Sequence, residues 1–442
     1  MRVCVVGGGA AGMMCATMIA RKGHQVVLFE KNEKLGKKIY ITGKGRCNVT
    51  NATVGDDFLK SVVTGKKFVM GAITRFNSND TTKFFEDVGI PLKIERGNRV
   101  FPVSDKSSDI IKGLEKAMSW AGVQVKFNSS VEKIVVSEGV AKAVVIDGKE
   151  YLFDAVVVAT GGVSYPSTGS TGDGYEFAKS VGHSIVEPVP ALCAVNVEGS
   201  EPAEVQGLSL KNVKVFARLD SKMIYESEVG EMLFTRDGLS GPIVLSMSSF
   251  INRTDLSKLK IYIDFKPAIN YDALLARIDR EIIGLKAKQV SSLLEELLPK
   301  SLVKIFAKRL NIDFASKANQ LTKENRKNLA FLLKNFDFSP KSLEDFNSAI
   351  ITAGGINLKE INPKYMKSKL VPNLYFIGEV LDIDALTGGY NLQLAFSTAV
   401  TCASDFKDLL RWWKEKFIYG VCNFIFTYLS SGSFALANKD FA

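Results

Sequence analysis

The chain has 442 residues, of which 46% are hydrophobic and 24% charged, and its formal net charge is +10. This length exceeds what one hydrophobic core usually serves, so we expect two or three domains. Six scattered cysteines without a C-x-x-C pair, and only two histidines, argue against a disulfide framework, a zinc site and a histidine-based catalytic centre. These features predict a globular protein of the cytoplasm.

The N-terminus predicts a strand, a glycine turn and a helix. The strand spans Arg2 to Val6, and the helix runs from about Ala10 to Lys22. Glycines 7, 8, 9 and 12 interrupt the apolar run, which would weaken the core of a signal peptide. We therefore expect the fold to begin here, with no targeting segment.

The glycine turn matches a dinucleotide-binding motif. Gly7 to Gly12 fit G-x-G-x-x-G, and a second predicted strand, Gln25 to Phe29, ends at Glu30. Gly7 permits the tight turn, Gly9 lets a pyrophosphate approach the backbone, and Gly12 allows close helix–strand packing. We expect Glu30 to accept hydrogen bonds from the adenosine ribose. The alternative is a glycine turn without a ligand.

The stretch ITGKGRCNVTN (41–51) is a second candidate for ligand contact. It lacks the spacing of a P-loop, and the cysteine that follows Cys47 in the chain is Cys193, so it is not half of a dithiol. Its two glycosylation sequons are chance matches if the protein is not exported. The stretch therefore predicts a loop along a dinucleotide, with Arg46 near the phosphates.

Four long segments resemble the YhiN/BaiN-like flavoproteins, also described as aminoacetone-oxidase-type FAD-binding enzymes. These segments are 36–51, 156–183, 233–245 and 351–399, and the resemblance covers about residues 1 to 410. It implies an α/β protein with FAD bound across a Rossmann-like domain of the glutathione-reductase type. A β-rich, barrel-like domain and a helical domain would be inserted into it.

The motifs and the resemblance together give a set of predicted FAD-binding residues. The set is Gly7, Gly9, Ala10, Ala11, Gly12, Glu30, Lys31, Lys38, Gly45, Arg46, Cys47, Asn48, Val131, Thr160, Gly161, Gly162, Gly378, Glu379, Gly389, Asn391 and Leu392. Glu379 follows a short apolar run, and by resemblance it bonds the ribityl chain; the alternative is a solvated acid at a strand end. A helix from about Leu392 would point its N-terminal amides at the flavin.

Composition divides the chain into parts. We expect a discontinuous FAD-binding domain at 1–190 plus 345–410, an inserted β-rich domain at 191–270 and an inserted helical domain at 271–344. Ser292 and Glu295 predict a capping box, and Pro299 predicts a helix end. The remaining segment, 411–442, is an extension whose apolar core of 13 residues is too short to span a bilayer. It predicts either a packed extension or an interfacial helix.

Most of the excess positive charge lies in the predicted helical region. Residues 258–341 contain 17 lysines and arginines against nine acidic residues, a net charge of +8. The densest part consists of Lys304, Lys308, Arg309, Lys323, Arg326 and Lys327. Such a patch favours a polyanionic partner such as ribosomal RNA, and the alternative is a solvated basic face.

The resemblance implies reduction of a carbon–carbon double bond conjugated to a carbonyl, in a bile-acid intermediate or in a uridine of ribosomal RNA. The basic charge favours RNA; a small-molecule flavin reductase or amine oxidase and a non-enzymatic flavin-bound protein are the alternatives. No second G-x-G-x-x-G is present, so NAD(P)H would dock transiently, or another reductant serves. Cys47, whose pKa a positive loop could lower, and Tyr390 are candidate proton donors. The alternative for Cys47 is a buried cysteine that acts as a small hydrophobic side chain. His24 and His183 are expected to be structural.

Overall fold

The computed structural model describes residues 1–285 and 288–409, which form two large hydrophobic cores. One core belongs to the flavin half, residues 1–190 and 345–409, which is the predicted FAD-binding domain within the described range. The other core belongs to the insertion, residues 191–344. The predicted 411–442 extension, and with it the choice between a packed extension and an interfacial helix, lies outside the described residues.

A seven-stranded sheet forms the centre of the flavin half. Its five parallel strands lie in the spatial order Leu374–Phe376, Ala155–Val158, Arg2–Val6, Gln25–Phe29 and Gln124–Lys126. Two short antiparallel strands, Lys367–Ser368 and Ile361–Asn362, extend one edge. Apolar runs buried on both faces explain why these segments form parallel strands.

The direction of chain progression reverses at the first strand. The second strand in sequence lies on one side of Arg2–Val6, and Ala155–Val158 lies on the other. In open α/β sheets ligands bind outside the carboxyl ends of the strands at such a switch point. Gly7 follows the strand Arg2–Val6, and Ala159 and Thr160 follow the neighbouring strand Ala155–Val158. The fold therefore brings two predicted ligand-binding segments together.

Helices and small sheets surround this central sheet. The helices are Ala10–Ala20, Lys37–Ile41, Gly55–Lys60, Lys66–Arg75, Ser78–Asp87, Ser107–Ala121, Asp173–Ser180 and Tyr390–Ala403. The antiparallel sheets are Lys133–Ser137 with Val140–Ile146 and Lys149–Leu152, Thr50–Asn51 with Arg99–Pro102 and Leu92–Glu95, and Val62–Thr64 with Asp384–Ala385.

Two antiparallel strands, Ile185–Ala191 and Ile351–Ile356, connect the flavin half to the insertion. The insertion contains an eight-stranded sheet made of Val195–Val197, Ser209–Leu219, Lys222–Glu226, Gly230–Phe234, Gly238–Ser240, Leu259–Asp264, Phe336–Phe338 and Pro340–Leu343. Its helices are Glu201–Glu204, Pro242–Ile251, Tyr271–Leu285, Val290–Leu297, Val303–Leu310 and Lys323–Lys334. The mixed α/β fold with a Rossmann-type domain and additional sheets and helices is therefore confirmed.

Several details differ from the sequence prediction. The helix Val290–Leu297 begins two residues before Ser292, so the predicted capping box is wrong; Gln289 is the N-cap. The last predicted helical residues form the strands Phe336–Phe338 and Pro340–Leu343, because their alternating apolar side chains complete the sheet. The strands and helices of the insertion share one core, and the division at residue 270 stays a prediction.

Within residues 1–285 and 288–409, no helix has the length and apolar character needed to cross a membrane.

Candidate active site

The glycine turn after the first strand has the geometry of a pyrophosphate site. Gly7 adopts a φ of 104°, which favours glycine. A Cβ on Gly12 would lie 1.9 Å from the Gly7 carbonyl oxygen, so only glycine lets the helix Ala10–Ala20 pack this closely. A Cβ on Gly9 would meet no atom within 4 Å. The first helical turn, which includes Ala10 and Ala11, therefore faces space that an anion can occupy.

Glu30 is fixed at the end of the second strand. It is 7% exposed, and its Oε2 accepts a hydrogen bond from Gly8 N at 2.8 Å. Its Oε1 accepts from Asn32 N at 2.8 Å and from Asn32 Nδ2 at 2.7 Å. The carboxylate is thus held beside the glycine turn, where a ribose hydroxyl can reach it. Its neighbour Lys31 binds Asp173 at 2.7 Å, and Val131 is buried in the core.

An ion pair joins two residues that the sequence analysis placed in the site separately. Lys38 Nζ lies 2.9 Å from Glu379 Oε2 and donates to Ser164 Oγ at 2.5 Å. Glu379 Oε1 accepts from Thr352 N at 2.9 Å, and Thr352 Oγ1 accepts from Val163 N and Ser164 N. The network fixes the Glu379 carboxylate between the loop that follows the strand Ala155–Val158 and the strand Ile351–Ile356, which returns from the insertion.

Arg46 does not take the position that the sequence analysis gave it. Its guanidinium pairs with Glu95 and Asp105 and lies 4.2 Å over the ring of Phe101. Two carboxylates already neutralise this charge, so the structure does not agree with a phosphate contact by Arg46. Its partners lie on and after a hairpin that sequence spacing did not connect to the loop. The network instead anchors the loop that carries Cys47.

Cys47 lies in a strained and buried position. Its φ of 57° is unusual for a residue with a side chain, and the residue is 0% exposed. Burial raises the pKa of the thiol to about 12, while the Thr42 side chain acts in the opposite direction. The predicted lowering of the Cys47 pKa is therefore wrong: the adjacent positive charge of Arg46 is neutralised, and desolvation dominates. Gly45, two residues earlier, would meet no atom within 4 Å if it carried a Cβ.

The start of the helix Tyr390–Ala403 lies beside this loop. A Cβ on Gly389 would lie 2.3 Å from the Thr50 carbonyl oxygen and 2.9 Å from Asn48 Oδ1. The Tyr390 hydroxyl is 3.5 Å from Thr53 Oγ1. The helix begins two residues earlier than the predicted Leu392, which is half-buried. Loop and helix N-terminus are therefore adjacent, as two parts of one site must be.

Asn391 has a supporting role in the structure. Its side chain accepts from Ala385 N at 2.9 Å and donates to the Ala385 carbonyl at 2.7 Å. These bonds fix the segment between Glu379 and the helix.

Two further glycines of the predicted FAD-binding set have little room for a side chain. A Cβ on Gly162 would lie 2.4 Å from Thr352 Oγ1, and a Cβ on Gly378 would lie 2.9 Å from Ala11 Cβ.

Several buried polar atoms near the site have no hydrogen-bond partner among the described residues. Two of them, Asn48 Oδ1 and Thr160 Oγ1, belong to predicted FAD-binding residues, and Gly161, beside Thr160, adopts a φ of 75°. Buried polar atoms are normally hydrogen-bonded, so unpaired ones at converging loops indicate a missing ligand group. Together with the open N-terminus of the first helix and the fixed carboxylates of Glu30 and Glu379, they fit a flavin dinucleotide stretched along the switch point.

Sequence reasoning missed several contributors to this site. Ser164 and Thr352 hold Glu379, and Asn32 holds Glu30. Thr352 belongs to the glycine-rich TAGG stretch of residues 352–355, which lies inside the buried strand Ile351–Ile356 and was a usable signal. Ser164 gave no local signal, since its partners are more than 100 residues away in the sequence.

The chain is similar to a known protein family over most of its length. The family model described as HI0933-like protein Rossmann domain matches residues 1–405. The chain belongs to this family. It is an FAD-dependent oxidoreductase, and the predictions of FAD, of a flavoprotein and of an enzyme are confirmed.

Individual relatives of this HI0933-like protein match over almost their full length. A Haemophilus influenzae protein named ribosomal RNA dihydrouridine synthase is 31% identical over 404 residues, covering 90% of this chain and 96% of that protein. A Clostridium scindens protein named 3-dehydro-bile acid delta(4,6)-reductase is 30% identical over 409 residues, covering 90% and 97%. The solved 3-ketosteroid delta1-dehydrogenase of Sterolibacterium denitrificans has a similar fold, with a TM-score of 0.50, 12% identity and coverage of 92% and 99%.

Proposed function

We propose that this HI0933-like protein reduces a carbon–carbon double bond conjugated to a carbonyl, and that its substrate is uridine in ribosomal RNA. The observation that carries the proposal is the flavin site combined with two near-full-length relatives whose names both describe the saturation of such a bond. The C5=C6 bond of uracil is conjugated to the C4 carbonyl. The proposed activity places the protein in the cytoplasm, where ribosomal RNA is found.

When bound, FAD would supply the hydride for reduction of the substrate's double bond. The residues of this chain bind and orient the cofactor. The first helix and Gly9 would hold the pyrophosphate, Glu30 would hold the adenosine ribose, and Glu379 would hold the ribityl chain.

The Lys38–Glu379 pair also has an electrostatic consequence. Lys38 keeps the Glu379 carboxylate in one orientation and offsets its charge, so the carboxylate accepts hydrogen bonds without leaving an isolated negative charge beside the flavin. The proton for the α-carbon must come from another group. Tyr390 stays a candidate. Cys47 is a weaker acid than an exposed thiol, because burial raises its pKa.

Charge distinguishes an RNA substrate from a small apolar one. The net charge of +8 between residues 258 and 341 favours a polyanion over a bile acid, which has at most one or two negative charges. NAD(P)H is the expected electron donor, and transient docking is required because the sequence has no second dinucleotide motif.

Mass spectrometry of ribosomal RNA nucleosides tests the proposal. A strain without the gene should lack a dihydrouridine that the parent contains, and the wild-type gene should restore it. A gene encoding Gly12→Val, which cannot form the pyrophosphate turn, should not restore it. If the parent and the deletion strain contain the same amount of dihydrouridine at every site, the RNA substrate is wrong.

A small-molecule ene-reductase is the second candidate, because the C. scindens relative covers 90% of the chain. That activity would appear as reoxidation of the reduced protein by a steroid enone in the absence of RNA. Reoxidation by an enone at the same rate with and without RNA, in a protein that leaves ribosomal RNA unchanged, would favour this candidate. The amine-oxidase alternative instead expects an amine to reduce the oxidised flavin.

A further inference from the structure

The six basic residues first predicted to bind RNA separate into two groups in the structure. Arg309 pairs with Glu201 and Asp337, and its guanidinium lies 3.9 Å over the ring of Phe336. Arg326 pairs with Asp279 at 3.0 Å and also donates to a backbone carbonyl. Both arginines are therefore engaged inside the insertion, and their side chains are half-buried.

The lysines of the same helices have a different environment. Lys300, Lys304 and Lys308 are spaced four residues apart along a 3-10 turn and the helix Val303–Leu310, and all three are exposed. Residues spaced by four lie on one face of a helix, so they form one row. Across residues 1–285 and 288–409, no carboxylate forms an ion pair with any of the three. The opposite face is apolar and buried, which fixes the direction in which the row points.

A second row lies on the helix Lys323–Lys334, which packs against the first one. Lys323 and Lys327 are exposed, are spaced by four, and have no ion pair within the described part of the chain. Lys323 occupies the first helical turn, where the helix dipole already places positive charge. A lysine there does not stabilise the helix. Glu324 is the single acidic residue of this helix.

We propose that these five lysines, the lysine rows, bind the phosphate backbone of RNA, while Arg309 and Arg326 hold the helices that present them. Lysine ammonium groups act as flexible point charges, which suits backbone contacts that carry no base information. The inference rests on the proposed function, because it names the surface that holds the RNA substrate. RNA binding is nevertheless measured separately from reduction.

The connection between the two halves supports this arrangement. The strands Ile185–Ala191 and Ile351–Ile356 lead directly from the insertion to the flavin site, where Thr352 N donates to Glu379. An RNA held by the lysine rows is therefore held by the part of the chain that these two strands join to the flavin half. Selection of one uridine is then a task for the flavin site, and the rows supply affinity.

Fluorescence anisotropy with the FAD-loaded, full-length protein tests the proposal. The probe is a fluorescein-labelled RNA hairpin with uridines in its loop, titrated at salt concentrations from 50 to 200 mM. Replacing Lys304, Lys308, Lys323 and Lys327 with glutamine should weaken binding by about tenfold or more. It should also reduce the slope of log K against log salt by about two or more, since each lost phosphate contact removes about 0.9.

The matched control replaces four exposed lysines of the flavin half with glutamine: Lys126, Lys133, Lys149 and Lys359. It changes the net charge equally and should leave affinity and slope near the wild-type values. Flavin absorbance and melting temperature should be unchanged in both variants. A row variant that keeps the wild-type slope, or a control variant that loses as much affinity, overturns the proposal.

Vesicles of phosphatidylglycerol and phosphatidylcholine provide a competing phosphate surface. The proposal would also be overturned if the lysine-row variant lost binding to these vesicles but bound the RNA hairpin as tightly as the wild type. Failure of the reductase proposal looks different: the rows would still bind the hairpin, but no dihydrouridine would depend on the gene.

Discussion

The charged residues around the flavin site and the lysine rows of the insertion differ in their ion pairs. In the flavin half, Lys31, Lys38 and Arg46 are each paired with carboxylates across long sequence separations. In the insertion the two arginines are paired, but the lysine rows have no carboxylate partners within the described residues. Paired charges fix loops around a cofactor that stays bound. Unpaired charges on a helix face are available to a partner that binds and leaves.

The glycine turn offers the largest expected effect in this comparison. Gly12→Val should abolish FAD binding and cost about 3 kcal/mol or more of folding free energy, because its side chain has no room next to Gly7. Gly9→Ala should fold normally but hold FAD at least about tenfold more weakly, since its methyl group enters the pyrophosphate space. FAD absorbance after gel filtration and the melting temperature measure both effects.

Gly71→Ala is the control, because a Cβ there would also meet no atom within 4 Å but lies on a surface helix. It should keep FAD and stability. Stoichiometric FAD in purified Gly12→Val would contradict the assigned turn.

Arg309 and Lys308 are neighbours on one helix, and they test whether the paired arginine stabilises the fold while the unpaired lysine does not. Arg309→Ala should lower the free energy of unfolding by about 3 kcal/mol, because it leaves Glu201 without its partner and exposes Phe336. Lys308→Ala should change it by less than about 0.5 kcal/mol. Urea unfolding followed by circular dichroism measures both, and equal losses would remove the distinction between arginines and lysine rows.

Asp384 lies in the flavin half, yet it forms no ion pair with any described residue. It is 1% exposed, and neither carboxylate oxygen has a hydrogen-bond partner in the described chain. Burial raises the pKa of Asp384 to about 6 from 3.8; the Thr64 side chain and Arg253 oppose the shift, and Asp382 and Glu379 add to it.

The raised pKa predicts the pH dependence of stability. The folded state holds the proton more tightly than the unfolded chain, so Asp384 favours folding most at low pH. That contribution declines as the pH rises from about 4 to about 6. Asp384→Asn should therefore raise the free energy of unfolding by about 2 kcal/mol at pH 7 and above, with little change at pH 4. Urea midpoints between pH 4 and 8 that shift equally at all pH values would sink this account.

Lys38 and Lys83 test whether the half-buried ion pair of Lys38 and Glu379 supports cofactor binding. Lys38→Ala leaves Glu379 without its counter-charge and should weaken FAD binding by about tenfold. Lys83 pairs with the exposed Asp87 at 3.3 Å on a helix, so Lys83→Ala should leave FAD affinity unchanged. Flavin fluorescence titration of the apoprotein compares them. Equal affinities in the two variants would show that the Lys38–Glu379 pair does not shape the site.

Cys47 is expected to show the smallest effect. With its pKa raised to about 12, the thiol stays protonated at neutral pH. Cys47→Ala should retain FAD, and its rate profile between pH 6 and 9 should run parallel to that of the wild type. A pH-dependent loss of turnover confined to the variant would instead give the thiol a direct role in proton transfer.

The sequence predicted local features of the fold well. The first two strands were placed correctly because a short apolar run bounded by glycines or charged residues is typical of a buried strand. The glycine turn showed the spacing that close packing of the first helix requires. Pairings across long separations were not predictable. Arg46 was assigned to phosphate because nothing near it in the sequence indicates that Glu95 and Asp105 reach it.

The same limit applies to burial. A basic loop suggested a lowered pKa for Cys47, but desolvation depends on the tertiary packing around the thiol. In the insertion, composition gave the charge of the helical region correctly. Only the structure distinguishes Arg309, which is paired, from Lys308, which is not.

The most direct test uses the purified holoenzyme and ribosomal RNA from a strain that lacks the gene. The flavin is reduced anaerobically, RNA is added, and flavin reoxidation and RNA dihydrouridine are measured in the same sample. The account predicts that one dihydrouridine forms for each flavin reoxidised. Gly9→Ala should form little, and the lysine-row variant should require more RNA. Flavin that stays reduced in the presence of this RNA, with no dihydrouridine formed, would contradict it.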